Sequence, residues 1–167
     1  MKMRAELKIS APAQDAWVVM GERFGEIGEW ASAITWSAMD GPPGPGQVRT
    51  CHIAGFGPVA PGVIKERLVR FDPSARSLSY QAAEGMPRFI ERAVSRWSVR
   101  EEPGGTCLVR IDATLTLRPI ARPLRPVLRW RMRAGTRRVL AELRHRVETG
   151  RPHPAKLATL TSEEAMP

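Results

Sequence analysis

Apolar and charged residues alternate from Met3 to Ile9, with Met3, Ala5, Leu7 and Ile9 on one side and Arg4, Glu6 and Lys8 on the other. This is the pattern of a half-buried strand. Ser10 stands where it can cap a helix, Pro12 fits a first turn, and Ala13, Trp17, Met20 and Phe24 follow at spacings of four, three and four. One amphipathic helix is therefore predicted next. Gly21, Gly25 and Gly28 break it into a bent pair that ends near Trp30. A weaker alternation through Ile34-Thr35-Trp36-Ser37 predicts a second strand, closed by the turn Asp40-Gly41-Pro42-Pro43-Gly44-Pro45-Gly46.

From Gln47 to Leu117 strand follows strand, divided most clearly by the turns Phe71-Asp72-Pro73-Ser74 and Glu102-Pro103-Gly104-Gly105. In residues 92–100, Ala93, Ser95, Trp97 and Val99 oppose Arg92, Arg96, Ser98 and Arg100; in 107–117, Cys107, Val109, Ile111, Ala113, Leu115 and Leu117 oppose Arg110, Asp112, Thr114 and Thr116. Both read as antiparallel strands with one wet face. Pro119, Pro123 and Pro126 delay the last helix until about 126, and Gly150 is placed to stop it. Its stripe of Leu128, Met132, Gly135, Thr136, Val139, Leu140, Leu143 and Val147 must lie on something apolar. Residues 151–167 show no periodicity and are expected to form a flexible end. With no internal repeat and no second domain in view, residues 1–150 read as a single domain. The order of elements predicts an α+β fold in which a curved antiparallel sheet wraps the final long helix.

Composition adds one feature. The 167 residues carry 26 basic and 17 acidic groups, and 22 of the basic ones are Arg. Ten of those Arg, with Glu142 as the one acid, fall between Arg118 and Arg146, so this stretch holds the whole net charge of +9. The rest of the chain carries 16 basic and 16 acidic groups and sums to zero, and no recognition motif accompanies the charge, which ranks nucleic acid last among partners. No run approaches the roughly 20 apolar residues of a membrane-spanning helix, and the start lacks the apolar stretch of a secretory signal, so a cytoplasmic chain beginning at Met1 or Lys2 is expected. Cys51 and Cys107 are too few for a disulfide scaffold and read as buried free thiols.

Several segments match, in order, the habits of one superfamily. Ile9-Ser10-Ala11-Pro12-Ala13-Gln14-Asp15-Ala16-Trp17 resembles the opening of the SRPBCC, or START-like, superfamily in its polyketide cyclase/dehydrase and lipid-transport branch. Glu29-Trp30, the strand Ile64 to Asp72, Leu78-Ser79-Tyr80, Gly85-Met86-Pro87 and Arg96-Trp97-Ser98-Val99 extend the likeness across about residues 3–148. The resemblance implies a helix-grip fold of about seven strands, two short helices after the first, and a deep apolar cavity under the last helix. It further implies a lipid, hormone or aromatic polyketide as ligand and, in some members, cyclisation or dehydration inside the cavity. A shared fold does not by itself carry a shared function.

Scattered His52, His145 and His153 offer no metal-ligand spacing, and no Gly-x-Ser-x-Gly elbow is present. The three prolines in Gly41–Gly46 remove the N–H donors of a phosphate cradle. No metal or organic cofactor is implied. The candidate ligand-binding residues are Trp36, Trp97, Val109, Ile111 and Leu115 on the sheet, with Met132, Thr136 and Val139 on the helix; plain core packing is the alternative for each. Glu66 lies between Ile64 and Leu68 on an apolar side, where a carboxylate is either a general acid or base or the partner of an Arg such as Arg49 or Arg67. If the site is catalytic, Glu66 is the acid/base and Tyr80 or Arg49 the polarising donor. On the outer helix face Trp130, Arg131, Arg133, Arg137 and Arg138 form a candidate docking surface for an acidic membrane or an acidic protein partner, with a solvated helix face as the alternative. Two functions follow: an enclosing enzyme of the cyclase/dehydrase type, or a non-catalytic carrier that docks through the Arg face.

Overall fold

The alternation at residues 3–9 becomes strand β1, Lys2–Ile9, in the computed structural model, which describes residues 1–54 and 61–164. Helix α1, Ala13–Trp17, follows, and then a π turn, Val18–Glu22, and a 3-10 turn, Phe24–Glu29. The helix-spaced residues Ala13, Trp17, Met20 and Phe24 are all buried. Pro12, not Ser10, occupies the N-cap of α1 and makes no side-chain cap bond. The first N–H of the helix, that of Ala13, donates instead to Glu101 (3.0 Å), and in the approach to it Ser10 N–H donates to Glu148 (2.8 Å). A distant carboxylate does the work of a local cap.

Six further strands complete one antiparallel sheet: β2 Ile34–Met39, β3 Val48–Ile53, β4 Gly62–Asp72, β5 Ser77–Glu84, β6 Ile90–Glu102 and β7 Thr106–Leu117. Their order across the sheet is β1-β7-β6-β5-β4-β3-β2, which leaves β1 and β2 as the edges. Gly28 lets the 3-10 turn lie directly on β2: an added Cβ would stand 2.7 Å from the Ser37 amide nitrogen, while Gly28 N–H donates to the Ser37 hydroxyl and that hydroxyl donates to Gly25 O. The Asp72 turn is held by its own carboxylate, which accepts from the Ala75 N–H and the Ser74 hydroxyl. Those bonds keep the Asp72 carboxyl below the usual range.

Pro119–Leu124 form a second 3-10 turn, and helix α2 runs from Arg125 to Thr149 with Gly150 left-handed at its end (φ 71°). Helix α2 lies closest along β1, where the Thr136 hydroxyl and Met3 Sδ are 3.9 Å apart. Leu140 and Leu143 close the core against Ile9, Trp17 and Val109. Buried Glu142 ties the helix to the loop before β2, accepting from both the amide and the hydroxyl of Ser32.

The segment after Gly150, read from the sequence as a flexible end, holds helix α3, Pro154–Glu164; residues 165–167 lie outside the described ones. Too short to show a clear period, α3 is fixed by polar anchors. His153 Nδ1 accepts the Ala155 N–H, buried Lys156 donates to Ile34 O (2.6 Å), and the Thr159 hydroxyl donates to Ser32 O. Among the described residues no helix is long and apolar enough to cross a membrane.

Candidate functional site

Strand register sorts the concave face of the sheet into rows. Leu78 on β5, Trp97 on β6 and Ile111 on β7 pair in one row, and all three are buried. The next row crosses Leu68, Tyr80, Ser95, Ala113 and Met3, and from Tyr80 onward every member is only half-buried. One step further on β7, Leu115 is buried again. Met132 and Thr136 on α2 are half-buried as well, and Thr136 stands over Met3. The partner of Leu115 on β6, Ala93, is half-buried, so an accessible strip floored by Tyr80, Ser95, Ala113 and Met3 lies beside the closed row of Leu78, Trp97 and Ile111, with α2 packed along its β1 end. Its walls are apolar and adaptable, and its polar groups are few, the composition of a small-molecule site.

Those polar groups are organised. Trp97 Nε1 donates to Ser95 Oγ at 3.0 Å, which fixes the serine beside Tyr80. Burial pushes the Tyr80 hydroxyl up to about 12; the Glu66 charge adds to this, while Arg49 and hydrogen bonding to Ser95 and Trp97 oppose it. At neutral pH the phenol is a donor.

Beside Tyr80 lies a buried ion pair. Arg49, 2% exposed, donates Nε and Nη2 to Glu66 Oε2 at 2.9 and 2.5 Å and Nη1 to Phe24 O at 2.7 Å. Its guanidinium lies 3.6 Å from the centre of the Phe24 ring and 5.2 Å from that of Tyr80. Burial works against its charge, but Glu66, with Cys51 and Tyr80, more than offsets this, and Arg49 titrates above its ordinary value. Cys51 Sγ sits 3.6 Å from the same Glu66 oxygen, and burial pushes this thiol up to about 12. Cys107 is buried and free too.

The structure brings together Glu66, Tyr80, Arg49 and Trp97, but not all of them in the roles the sequence suggests. Glu66 takes Arg49, not Arg67, as its partner and keeps 17% of its side chain accessible; Arg67 points to the other face. Arg49 commits all three guanidinium nitrogens to protein acceptors. Trp97, Val109, Ile111 and Leu115 are buried, and Val139 packs against the core. Over Trp97 the interior is filled: the void among Phe24, Trp30, Arg49 and Trp97 measures about 10 Å³, room for one water.

Trp36 is a correction. A bulge between Ile34 and Trp36 shifts the phase of β2, so Ile34 packs on the core while Trp36 turns to the convex face, 51% exposed and edge-on to His52. It lines a shallow groove of about 460 Å³ there with Thr50, Lys65 and Arg67. Ser95, Ala113 and Met3 were missed as site residues, although the alternation that exposed Glu66 also places Ser95 on an apolar face. On α2, Trp130, Arg133, Arg137 and Arg138 are exposed, whereas Arg131 is half-buried with its Nε shielded and without an acceptor among the described residues.

A curved seven-stranded antiparallel sheet, two short helical pieces after its first strand and a long C-terminal helix over its concave face define a helix-grip protein. The protein TTHA0849 of Thermus thermophilus superposes with a TM-score of 0.72 at 19% identity, over 90% of this chain and 99% of that one. A Thermobifida fusca protein matches with a TM-score of 0.64 at 29% identity, over 91% and 97%. Norcoclaurine synthase of Thalictrum flavum, solved as a point mutant with a transition-state analogue, matches with a TM-score of 0.65 at 17% identity, over 88% and 93%. No curated protein matches the chain. The family model described as polyketide cyclase/dehydrase and lipid transport matches residues 1–148, and the chain belongs to that family.

Proposed function

We propose that the protein encloses a small hydrophobic molecule, aromatic or lipid-like, in the strip between Tyr80, Ser95, Ala113 and Met3 on the sheet and Met132 and Thr136 on α2. The observation that carries this reading is the half-buried row Tyr80, Ser95, Ala113 and Met3 directly beside the buried Leu78, Trp97 and Ile111. Apolar surface left accessible in the interior of a sheet is costly unless something covers it. The family's description, and a norcoclaurine synthase structure holding dopamine and hydroxybenzaldehyde on the same fold, support an aromatic or lipid-like occupant.

Tyr80 and Ser95 give the ligand its orientation. A carbonyl or phenolic oxygen lying on this row meets the Tyr80 donor, and a developing enolate oxygen would be stabilised there more than its neutral precursor, as a cyclisation or dehydration requires. In this reading Tyr80 is the polarising group and Glu66, through its accessible edge, the acid/base; Arg49 positions both. Native mass spectrometry of the freshly purified full chain tests the proposal. A small-molecule adduct is expected, released on denaturation and retained less by Tyr80→Phe. A chain that carries no adduct and takes up no neutral aromatic probe contradicts it.

A further inference from the structure

Exposed large apolar side chains concentrate at one place. Ile120, Leu124, Val127 and Trp130 are 85%, 50%, 53% and 67% exposed, within eleven residues that span the Pro119–Leu124 turn and the start of α2. At 3.6 residues per turn, Val127, Trp130 and Ala134 fall within about 60° of one another on the side of α2 opposite the buried Leu143. Arg133 and Arg137 flank that stripe on one side and Arg131 and Arg138 on the other, with Arg118, Arg122, Arg125 and Arg129 around the turn.

The charge has no internal answer. The one acid between Arg118 and Arg146 is Glu142, which is buried and bonded to Ser32. Of the ten arginines, only Arg146 meets a carboxylate among the described residues, Glu29 at 3.5 Å. A helix face kept for solubility would not expose a Trp, a Val, a Leu and an Ile together. A nucleic acid would use the arginines and leave Ile120 and Leu124 without a role. An apolar ridge inside a ring of cations matches the boundary of an anionic bilayer, where headgroup phosphates meet acyl chains.

We propose that the Pro119–Leu124 turn and the first turns of α2 dock on anionic lipid bilayers, Ile120, Leu124, Val127 and Trp130 entering the interface while the surrounding arginines take the lipid phosphates. The inference goes beyond the ligand-binding reading and does not depend on it, since none of these side chains belongs to the strip under α2.

Flotation of the full chain with phosphatidylcholine vesicles, with and without phosphatidylglycerol, tests it. Partition is expected to rise at least about tenfold with the anionic lipid and to fall as salt is raised. Arg133→Gln with Arg137→Gln should lower it about fivefold or more, and Ile120→Ser with Trp130→Ser by a similar factor at unchanged charge. Quenching by brominated lipid should be weaker in Trp130→Phe than in the wild type. Absence of binding to anionic vesicles at low salt overturns the proposal. So does binding that Ile120→Ser with Trp130→Ser leaves unchanged, or duplex DNA competing fully with vesicles, because either reduces the surface to a patch for any polyanion. Should the serine pair lower the unfolding midpoint, the arginine pair and the Trp130 quenching decide.

Discussion

Arg49→Ala is expected to cost about 3–5 kcal/mol of folding stability, the range for removing one partner of a buried ion pair. The substitution takes away the charge facing Glu66, the donor to Phe24 O and the cation that lies over the Phe24 ring. It also leaves an empty space between Phe24 and Tyr80, which the neighbouring side chains refill only in part. For a chain of this size the loss appears as a drop in Tm of about 10 °C or more. Replacing both partners, Arg49→Met with Glu66→Leu, should recover most of it, since no buried charge is then left without its counterpart. Thermal unfolding followed by circular dichroism measures both variants. A Tm for Arg49→Ala within about 2 °C of wild type would show that the pair does not hold the loop at Phe24 to the sheet.

Ala113→Trp should lower affinity for a neutral aromatic probe such as phenylnaphthylamine by at least tenfold, about 1.4 kcal/mol, without unfolding the protein. Ala113 lies between Ser95 and Met3 in the half-buried row, paired with the strand that α2 packs along. An indole there fills the strip that the proposed ligand occupies, and the half-buried site gives it room that the Trp97 row would not. Thr136→Trp approaches the same space from the helix and should act alike. Fluorescence titration measures both, and affinity unchanged in the two variants would move the ligand elsewhere.

Much of this arrangement was legible in the chain. Alternation of period two located β1, β6 and β7, and the four-three-four spacing of Ala13, Trp17, Met20 and Phe24 picked out residues that are buried together. Gly150 marked the end of α2 because a left-handed position there favours glycine. The failures have physical causes. Period-two reasoning assumes an unbroken ladder, and the bulge after Ile34 reversed the face of Trp36. Helix α3 is held by Lys156 and Thr159 reaching backbone carbonyls over a hundred residues away, which no local pattern records. The alternation showed which residues of β6 and β7 face inward, but which of them are covered depends on where α2 crosses. Hence Trp97 and Ile111 looked as available as Ser95 and Ala113. For the same reason Glu66 could be placed on an apolar face while its partner remained open between Arg49 and Arg67.

The claim that the ligand lies under α2 is tested most directly by methyl NMR of the full chain titrated with phenylnaphthylamine. The account predicts saturable shifts and probe contacts at the methyls of Met3, Ala113, Met132 and Thr136. Perturbations confined to the convex groove, at Ala83, Val48 and Thr50 beside Trp36, would contradict it.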